Sequence, residues 1–206
     1  MYKKLESTIE DLIDGFDDIP SARKRSLEEI ARFVNKEIHS SGGVEINFIC
    51  THNSRRSQMA QIWTKAAAEH YDLKGVETFS GGVETTEFNP RAVDAIKRAG
   101  FRMRKSGDDN PEYHIRYGKG EDSLVCYSKT FNDPTNPSDN FAAILTCSDA
   151  DEKCPIVPGA EYRQLISYDD PKEADGTDKE EKVYDERCIQ IGTEMFYMMS
   201  KAGSSL

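Results

Sequence analysis

The feature that most constrains this chain is a strand, a polar turn and a helix that follow one another without a break. Residues 45–50 (EINFIC) are mostly apolar and predict a buried strand that ends at Cys50. The polar turn covers residues 51–57 (THNSRRS), and a helix is predicted through residues 58–71. Backbone N–H groups converge in a tight loop of this kind, and a helix N-terminus adds partial positive charge. The arrangement therefore predicts an oxyanion-binding site.

The side chains of this turn add chemistry to the site. The same field favours the thiolate form of Cys50, which would make it a nucleophile. Arg56, six residues further on, can bind two oxygens of a tetrahedral anion with its planar guanidinium. Ser57 can donate a hydrogen bond to the sulfur and help Cys50 to depart as a leaving group. The alternative is a buried core cysteine next to solvated arginines. On the functional interpretation, the oxyanion-binding residues are Thr51, His52, Asn53, Ser54, Arg55 and Arg56.

Strands alternate with helices along most of the remaining chain. Further strands are predicted at residues 76–79, 141–147 and 161–168, and helices at residues 90–99 and 180–201. Such an alternation predicts an α/β fold. We expect a three-layer doubly wound sheet of about four parallel strands with helices on both faces, formed by residues 44–206.

Two segments differ from this pattern. The pattern of residues 1–43 predicts two amphipathic helices, 3–15 and 21–39, followed by a short flexible Ser/Gly linker. Together they would form an N-terminal helical extension. Residues 104–140 are polar except for an apolar island at 123–127. This stretch is too long for an ordinary connection, so we expect an enlarged polar insertion that is either a functional loop or partly disordered.

Composition narrows the function classes. The chain has 27 Lys and Arg against 37 Asp and Glu, a net charge of −10, which argues against a general nucleic-acid binder. It contains no run of 18 apolar residues and no secretory signal pattern, so we expect neither a membrane-spanning segment nor export. Five cysteines indicate a reducing compartment, the cytoplasm, with reactive or metal-binding thiols rather than a disulfide framework.

The turn and several later segments also resemble a known family. Residues 50–61 (CTHNSRRSQMAQ) resemble the phosphate-binding loop of the low-molecular-weight protein tyrosine phosphatases and of the thioredoxin-coupled arsenate reductases that share their fold. The resemblance covers most of residues 45–200, but not residues 1–43 nor much of 104–140. It continues through residues 79–101 (FSGGVETTEFNPRAVDAIKRAGF), 147–155 (CSDADEKCP) and 168–171 (YDDP).

The chain departs from the family at three positions. His52 stands where the family usually has glycine, and Arg55 replaces a frequent cysteine or other small residue. Asn53 and Ser80 match positions that brace the loop and that, in some reductases, take part in a monovalent-cation site. Because Gln61 stands where those members carry a glutamate, we predict no metal.

The resemblance also implies an acid. In the family, the aspartate directly before a proline protonates the departing oxygen, a role that falls here on Asp170, before Pro171. Asp169 is the neighbour with which it could be confused. An aspartate before proline also commonly begins a turn, which is the structural alternative.

Cys147 and Cys154 distinguish the two branches of the family. They lie seven residues apart, unlike a zinc half-site, in a segment whose composition indicates an exposed, mobile loop. In the arsenate reductases a cysteine pair in this segment performs a disulfide relay, whereas plain phosphatases of this fold do not need the pair. Cys126 and Cys188 have no such context and are predicted to be packed thiols.

The resemblance therefore implies reduction of arsenate to arsenite through Cys50, with Cys147 and Cys154 as relay. It implies no bound cofactor, and an external thioredoxin-type dithiol as reductant. The alternative is hydrolysis of phosphotyrosine through a phosphocysteine at Cys50. Aromatic side chains such as Tyr168 would then lie near the phenyl ring of the substrate; otherwise they serve only in packing. A third hypothesis is a non-enzymatic oxyanion sensor. Residues 1–43 would be its interaction arm, and they are also candidates for a dimer surface or a partner surface.

Overall fold

The computed structural model describes residues 1–120, 124–153 and 156–204. The strands in chain order are β1 (Val44–Cys50), β2 (Val76–Gly82), β3 (Arg102–Ser106), β4 (Glu112–Arg116), β5 (Leu124–Cys126), β6 (Phe141–Leu145) and β7 (Ala160–Leu165). The helices are α1 (Lys3–Asp14), α2 (Ser21–Ser41), α3 (Arg56–His70), α4 (Pro90–Arg98), α5 (Ser148–Lys153) and α6 (Glu180–Gly203).

The central sheet has four parallel strands in the order β2-β1-β6-β7. All residues of β1 except Glu45 are buried, as expected for a strand covered on both faces. The face that carries Ile46 and Phe48 packs in the main core with the long helices, and the opposite face, with Ile49, packs against α5. The predicted α/β class with about four parallel strands is confirmed.

The strand order places the carboxyl end of β1 at a topological switch point. The chain leaves β1 towards β2 on one side, while β6 pairs with β1 on the other. Open α/β sheets bind their ligands in the crevice at such a point. Since Ile49 pairs with Leu145, the residues that follow β1 and β6 emerge side by side at this edge.

The two predicted N-terminal helices are present as α1 and α2. Their apolar positions recur at helical spacing and are buried in one core with α3 and α6. Gly42 ends α2 with φ +81°, a left-handed conformation that glycine adopts without strain. In the described part of the chain, no helix is both long and apolar enough to cross a membrane.

Residues 102–126 differ from the loop that we expected. They contain a second, antiparallel sheet in the order β3-β4-β5. Its strands are short, and β3 and β4 consist mostly of charged and polar residues. The two-residue alternation is therefore carried by few apolar side chains, of which Tyr113, Ile115 and Cys126 are buried. The chain then returns to the main sheet, where Thr130 bridges Gly82. The polar composition therefore reflects an exposed sheet face.

Candidate active site

The turn after Cys50 holds its backbone in one orientation. Asn53 adopts φ +47°, and the described peptide bonds are all trans. Because C=O and N–H point in opposite directions across a trans peptide, outward carbonyls turn the amides of residues 52–55 towards the inside of the loop. Four carbonyls of the loop point outward and accept hydrogen bonds from surrounding residues. Two accept from backbone amides: Thr51 from Glu84 N (2.8 Å) and Ser54 from Asn89 N (2.9 Å). Two accept from side chains: His52 from Ser128 Oγ (2.9 Å) and Asn53 from Gln58 Nε2 (3.0 Å).

Asn53 is the internal brace of this loop. Its Nδ2 donates to Ser57 Oγ at 2.9 Å, and its Oδ1 accepts from the amide of Lys129 at 3.0 Å and from Gln58 Nε2 at 3.2 Å. The side chain is fully buried. Asn53 therefore braces the loop, as the resemblance implied.

Ser57 and Cys50 lie in direct contact. The Cys50 sulfur is 3.1 Å from Ser57 Oγ, and both residues are buried. Since Asn53 already donates to Ser57 Oγ, the hydroxyl hydrogen of Ser57 is free to point at the sulfur. The arrangement can stabilise a thiolate at Cys50, because a hydrogen bond to the charged form favours it.

Asp170 lies between two guanidinium groups. Arg55 donates to it from Nε at 2.7 Å and from Nη2 at 3.1 Å, and Arg56 donates from Nη2 at 2.9 Å. Burial opposes ionisation of Asp170, but the bonds from Arg55 and the charges of both arginines outweigh it, so its pKa lies below the usual range. Asp169 instead faces Arg187 with a side chain that is 90% exposed. Asp170 is thus the aspartate of the pair that faces the loop.

Arg56 is fixed on its other side by Tyr168. Its Nη1 donates to the Tyr168 carbonyl at 2.9 Å. The ring of Tyr168 is only 4% exposed, and its hydroxyl donates to Glu194 on α6 at 2.7 Å. Tyr168 is therefore a packed residue, which is the second of the two alternatives given above for its ring.

Cys147 lies next to the loop of Cys50. It lies two residues after the end of β6, is 2% exposed, and packs in the same small cluster as Cys50. Its sulfur lies 3.5 Å from Thr51 Oγ1. The predicted exposure is wrong for Cys147, and the predicted loop is wrong for residues 148–153, which form the mostly exposed helix α5. Cys154, the predicted relay partner, lies outside the described residues.

Helix α5 forms in spite of its loop-like composition because its charges suit a helix. Asp149 and Asp151 lie in the first turn and Lys153 in the last, which complements the helix dipole. His52 on the active-site loop lies 3.7 Å from Glu84, and Lys153 lies 3.9 Å from the same carboxylate. Both pairs are largely exposed to solvent. They join the loop to α5 only weakly.

The residues at the cation position of some reductases do not fit a cation here. Gln61 is neutral, and its Nε2 donates to the Thr78 carbonyl at 2.9 Å. Asn53 Oδ1 already accepts two hydrogen bonds. Ser80 Oγ is buried without a partner among the described residues, so the expected bracing of the loop by Ser80 is not seen. One neutral hydroxyl is a poor cation site, and no group of three or more His, Cys, Asp or Glu forms one in the described ranges.

Cys126 and Cys188 are packed thiols, as predicted. Burial raises the pKa of each to about 12. Cys188 accepts from Trp63 Nε1 at 3.4 Å, and Cys126 lies 3.6 Å from Gln61 Oε1. At both thiols burial outweighs the nearby positive charge, of Lys129 at Cys126 and of Arg98 at Cys188, so neither is activated as a reactive cysteine is.

Several supporting residues were missed by the sequence analysis. Gln58 links the loop to the Tyr127 carbonyl at 2.9 Å, and Ser128 and Lys129 bind loop residues through the bonds given above. Arg23 on α2 contacts the segment before Asp170. In each of these contacts the two residues are separated by between 69 and 144 positions in the sequence, so no local pattern signals the contact.

Comparison with known proteins agrees with this geometry. The family model described as low molecular weight phosphotyrosine protein phosphatase matches residues 45–109. The arsenate reductase of Bacillus subtilis (strain 168) is 31% identical over 151 residues, which cover 73% of this chain and 91% of that protein.

Solved structures show the same fold. An arsenate reductase in the phosphate-binding state aligns with a TM-score of 0.51 and 18% identity, covering 77% of this chain and 98% of that one. A low-molecular-weight phosphotyrosine phosphatase from Vibrio cholerae O395 aligns with a TM-score of 0.52 and 14% identity, covering 77% of this chain and 95% of that one.

Proposed function

Because the chain belongs to the family of the low-molecular-weight phosphotyrosine phosphatases and arsenate reductases, we propose that it reduces arsenate to arsenite with an external dithiol of the thioredoxin type. The observation that carries this proposal is the position of Cys147, buried beside the Cys50 loop at the carboxyl end of the neighbouring strand. Hydrolysis of a phosphate ester needs no second thiol there. A reducing cytoplasm would keep both thiols available.

The first step is attack of the Cys50 thiolate on arsenic. The amides of residues 52–55 and the guanidinium of Arg56 would hold the anion, and Ser57 would hold the sulfur. Asp170, 2.9 Å from Arg56 Nη2, is the group that the resemblance assigns to protonate the departing oxygen. The product is a thioester of arsenate on Cys50, with arsenic still in the +5 state.

The second step moves two electrons. The Cys147 thiolate attacks the Cys50 sulfur, and the electron pair of the sulfur–arsenic bond passes to arsenic, which leaves as arsenite. Two thiolates have then become one Cys50–Cys147 disulfide, so oxidation of sulfur balances reduction of arsenic. This step needs Cys147 next to Cys50, and the contact of Cys147 with Thr51 supports such an approach.

The third step regenerates Cys50. Cys154 would attack Cys147, forming a Cys147–Cys154 disulfide and releasing the Cys50 thiolate, and the external dithiol would then reduce this disulfide by exchange.

Substitution of Cys147 by serine tests the proposal. Cys147→Ser should abolish arsenate reduction coupled to thioredoxin and thioredoxin reductase, measured as NADPH consumption. It should retain hydrolysis of p-nitrophenyl phosphate, which needs only the loop. Mass spectrometry of the wild type after arsenate exposure should find the Cys147–Cys154 disulfide. Undiminished arsenate reduction by Cys147→Ser would refute the relay, and phosphate-ester hydrolysis alone in the wild type would identify a phosphatase.

A further inference from the structure

We propose that Arg55 is a positioning residue that sets the substrate class of this site. By holding Asp170 in a two-pronged ion pair, it disfavours esters whose departing oxygen must receive a proton from the protein and favours inorganic oxyanions. This inference deepens the proposed function and rests on it for the identity of the natural substrate. The substrate that Arg55 disfavours is an aryl phosphate ester such as phosphotyrosine.

The geometry singles out Arg55 rather than Arg56. An oxyanion bound in the loop would compete for Arg56, since the same Nη2 that donates to Asp170 belongs to the group that binds the anion. Arg55 makes two hydrogen bonds to Asp170 with its Nε and Nη2, one to each carboxylate oxygen. It would keep Asp170 ionised even when Arg56 has turned to the substrate.

The other groups around this pair do not offset it. Tyr184 of α6 interacts electrostatically with Arg55, but its hydroxyl donates to Asp175 at 2.8 Å. The backbone amide of Lys172 donates to Asp170 at 3.1 Å and further favours the carboxylate. Asp169 is turned away to Arg187. The Cys50 sulfur interacts electrostatically with Arg55.

The need for a proton differs between the two substrate classes. When the thiolate attacks the arsenate monoanion, the departing oxygen can leave as water with the two hydrogens that arsenate already carries, so this step does not depend on the acid role that the resemblance assigns to Asp170. When it attacks an aryl phosphate dianion, the departing oxygen carries no hydrogen and leaves as a phenolate unless Asp170 supplies one. An Asp170 that stays ionised therefore slows ester cleavage most where the phenol is a weak acid.

The test compares two esters that differ in the acidity of their phenol. Kcat is measured from pH 4 to 9 for phenyl phosphate and p-nitrophenyl phosphate, with the wild type, Arg55→Gln and Arg55→Lys. The wild type should cleave the nitrophenyl ester much faster. Arg55→Gln should raise the phenyl-to-nitrophenyl ratio of kcat about tenfold and move the descending limb of the phenyl phosphate profile to higher pH, because the pKa of Asp170 rises. Arg55→Lys keeps the charge but loses the fork, and should change both in the same direction by less.

Asp170→Asn and the double variant Arg55→Gln/Asp170→Asn are the matched controls. With the acid removed, Arg55→Gln should leave the ratio unchanged, whereas a general structural effect would change it equally in both backgrounds. Thermal unfolding of each variant checks that it folds. If Arg55→Gln does not fold, the comparison of the two esters is made with Arg55→Lys. An unchanged ratio in a folded Arg55 variant, or equal cleavage of the two esters by the wild type, would overturn the inference. Failure of the proposed function shows separately, as phosphate-ester hydrolysis without arsenate reduction by the wild type.

Discussion

The guanidinium of Arg23, on the second helix of the chain, lies 4.7 Å from the centre of the Tyr168 ring. It also donates to the Ser167 carbonyl at 2.9 Å and to Glu194 Oε2 at 2.8 Å, the oxygen that accepts from the Tyr168 hydroxyl. Since the Tyr168 carbonyl holds Arg56, the N-terminal helices contribute to the support of the anion-binding arginine. Residues 1–43 are thus coupled to the site through one side chain.

Arg23→Ala should therefore weaken both the fold and the site. It leaves Glu194, a buried carboxylate, without its cation, which costs about 3 kcal/mol of unfolding free energy. Because Tyr168 loses its neighbour, the Michaelis constant for arsenate should rise. Urea unfolding and steady-state kinetics measure the two effects. Arg25→Ala, an exposed position on the same helix, is the control and should change neither.

Ser57→Ala should slow every step in which the Cys50 sulfur carries charge. The lost bond is a hydrogen bond to a charged acceptor, worth about 1.5–3 kcal/mol, so turnover should fall about 10- to 100-fold. The rate of Cys50 alkylation by iodoacetamide, followed as a function of pH, should be lower in the variant than in the wild type at neutral pH. Ser26→Ala on α2 is a control outside the site. Equal alkylation profiles for wild type and Ser57→Ala would contradict the assigned role.

Much of the fold was predictable because its signals are local. The apolar strand ending in Cys50, the polar turn and the following helix are adjacent in sequence, so their order alone predicts an oxyanion loop. Helices α1, α2 and α6 carry apolar residues at helical spacing and were predicted within a few residues of their ends. Elements that are long and strongly periodic show the pattern clearly.

What was missed depends on contacts between distant residues or on short elements. Strands β3 to β5 are at most five residues long, and β3 and β4 expose charged side chains, so their alternation was too weak to recognise. The pairing of Arg55 with Asp170 joins residues 115 positions apart, and nothing near either residue indicates it. Helix α5 was read as a loop because Ser, Asp and Lys are common in both; only Ala150 is buried within it.

The lowered pKa of Asp170 predicts how stability depends on pH. A carboxyl whose pKa is lower in the folded state stabilises the protein above its unfolded pKa, about 3.9, and this contribution is lost as the pH falls through the lower folded value. Asp170→Asn should therefore be less stable than the wild type by about 2 kcal/mol at pH 7. The difference should shrink below pH 4. Urea unfolding at pH 7, 5 and 3 measures it, with the exposed Asp169→Asn as the matched control.

Cys126 and Cys188 should be dispensable for turnover. Their pKa values of about 12 leave almost no thiolate at neutral pH, so they cannot join a thiol exchange. The variant Cys126→Ala/Cys188→Ala should keep the arsenate reduction rate within about twofold, while unfolding free energy falls by about 1–3 kcal/mol from lost packing. Loss of thioredoxin-coupled turnover in this folded variant would show that the relay uses a different pair of cysteines.

Gly82, at the end of β2, should be required for anion binding because it lies against the back of the loop. A Cβ at this position would be 2.7 Å from the Asn53 amide nitrogen and 2.4 Å from the Glu84 carbonyl oxygen, both backbone atoms that cannot move without shifting the loop. Gly82→Ala should therefore weaken phosphate binding, measured by calorimetry, by at least about tenfold, and lower thermal stability. Gly15→Ala is the matched control, since its Cβ would meet only Thr193 side-chain atoms at 3.7 Å or more. Unaltered phosphate affinity in Gly82→Ala would mean that the amides of residues 52–55 do not form the anion site.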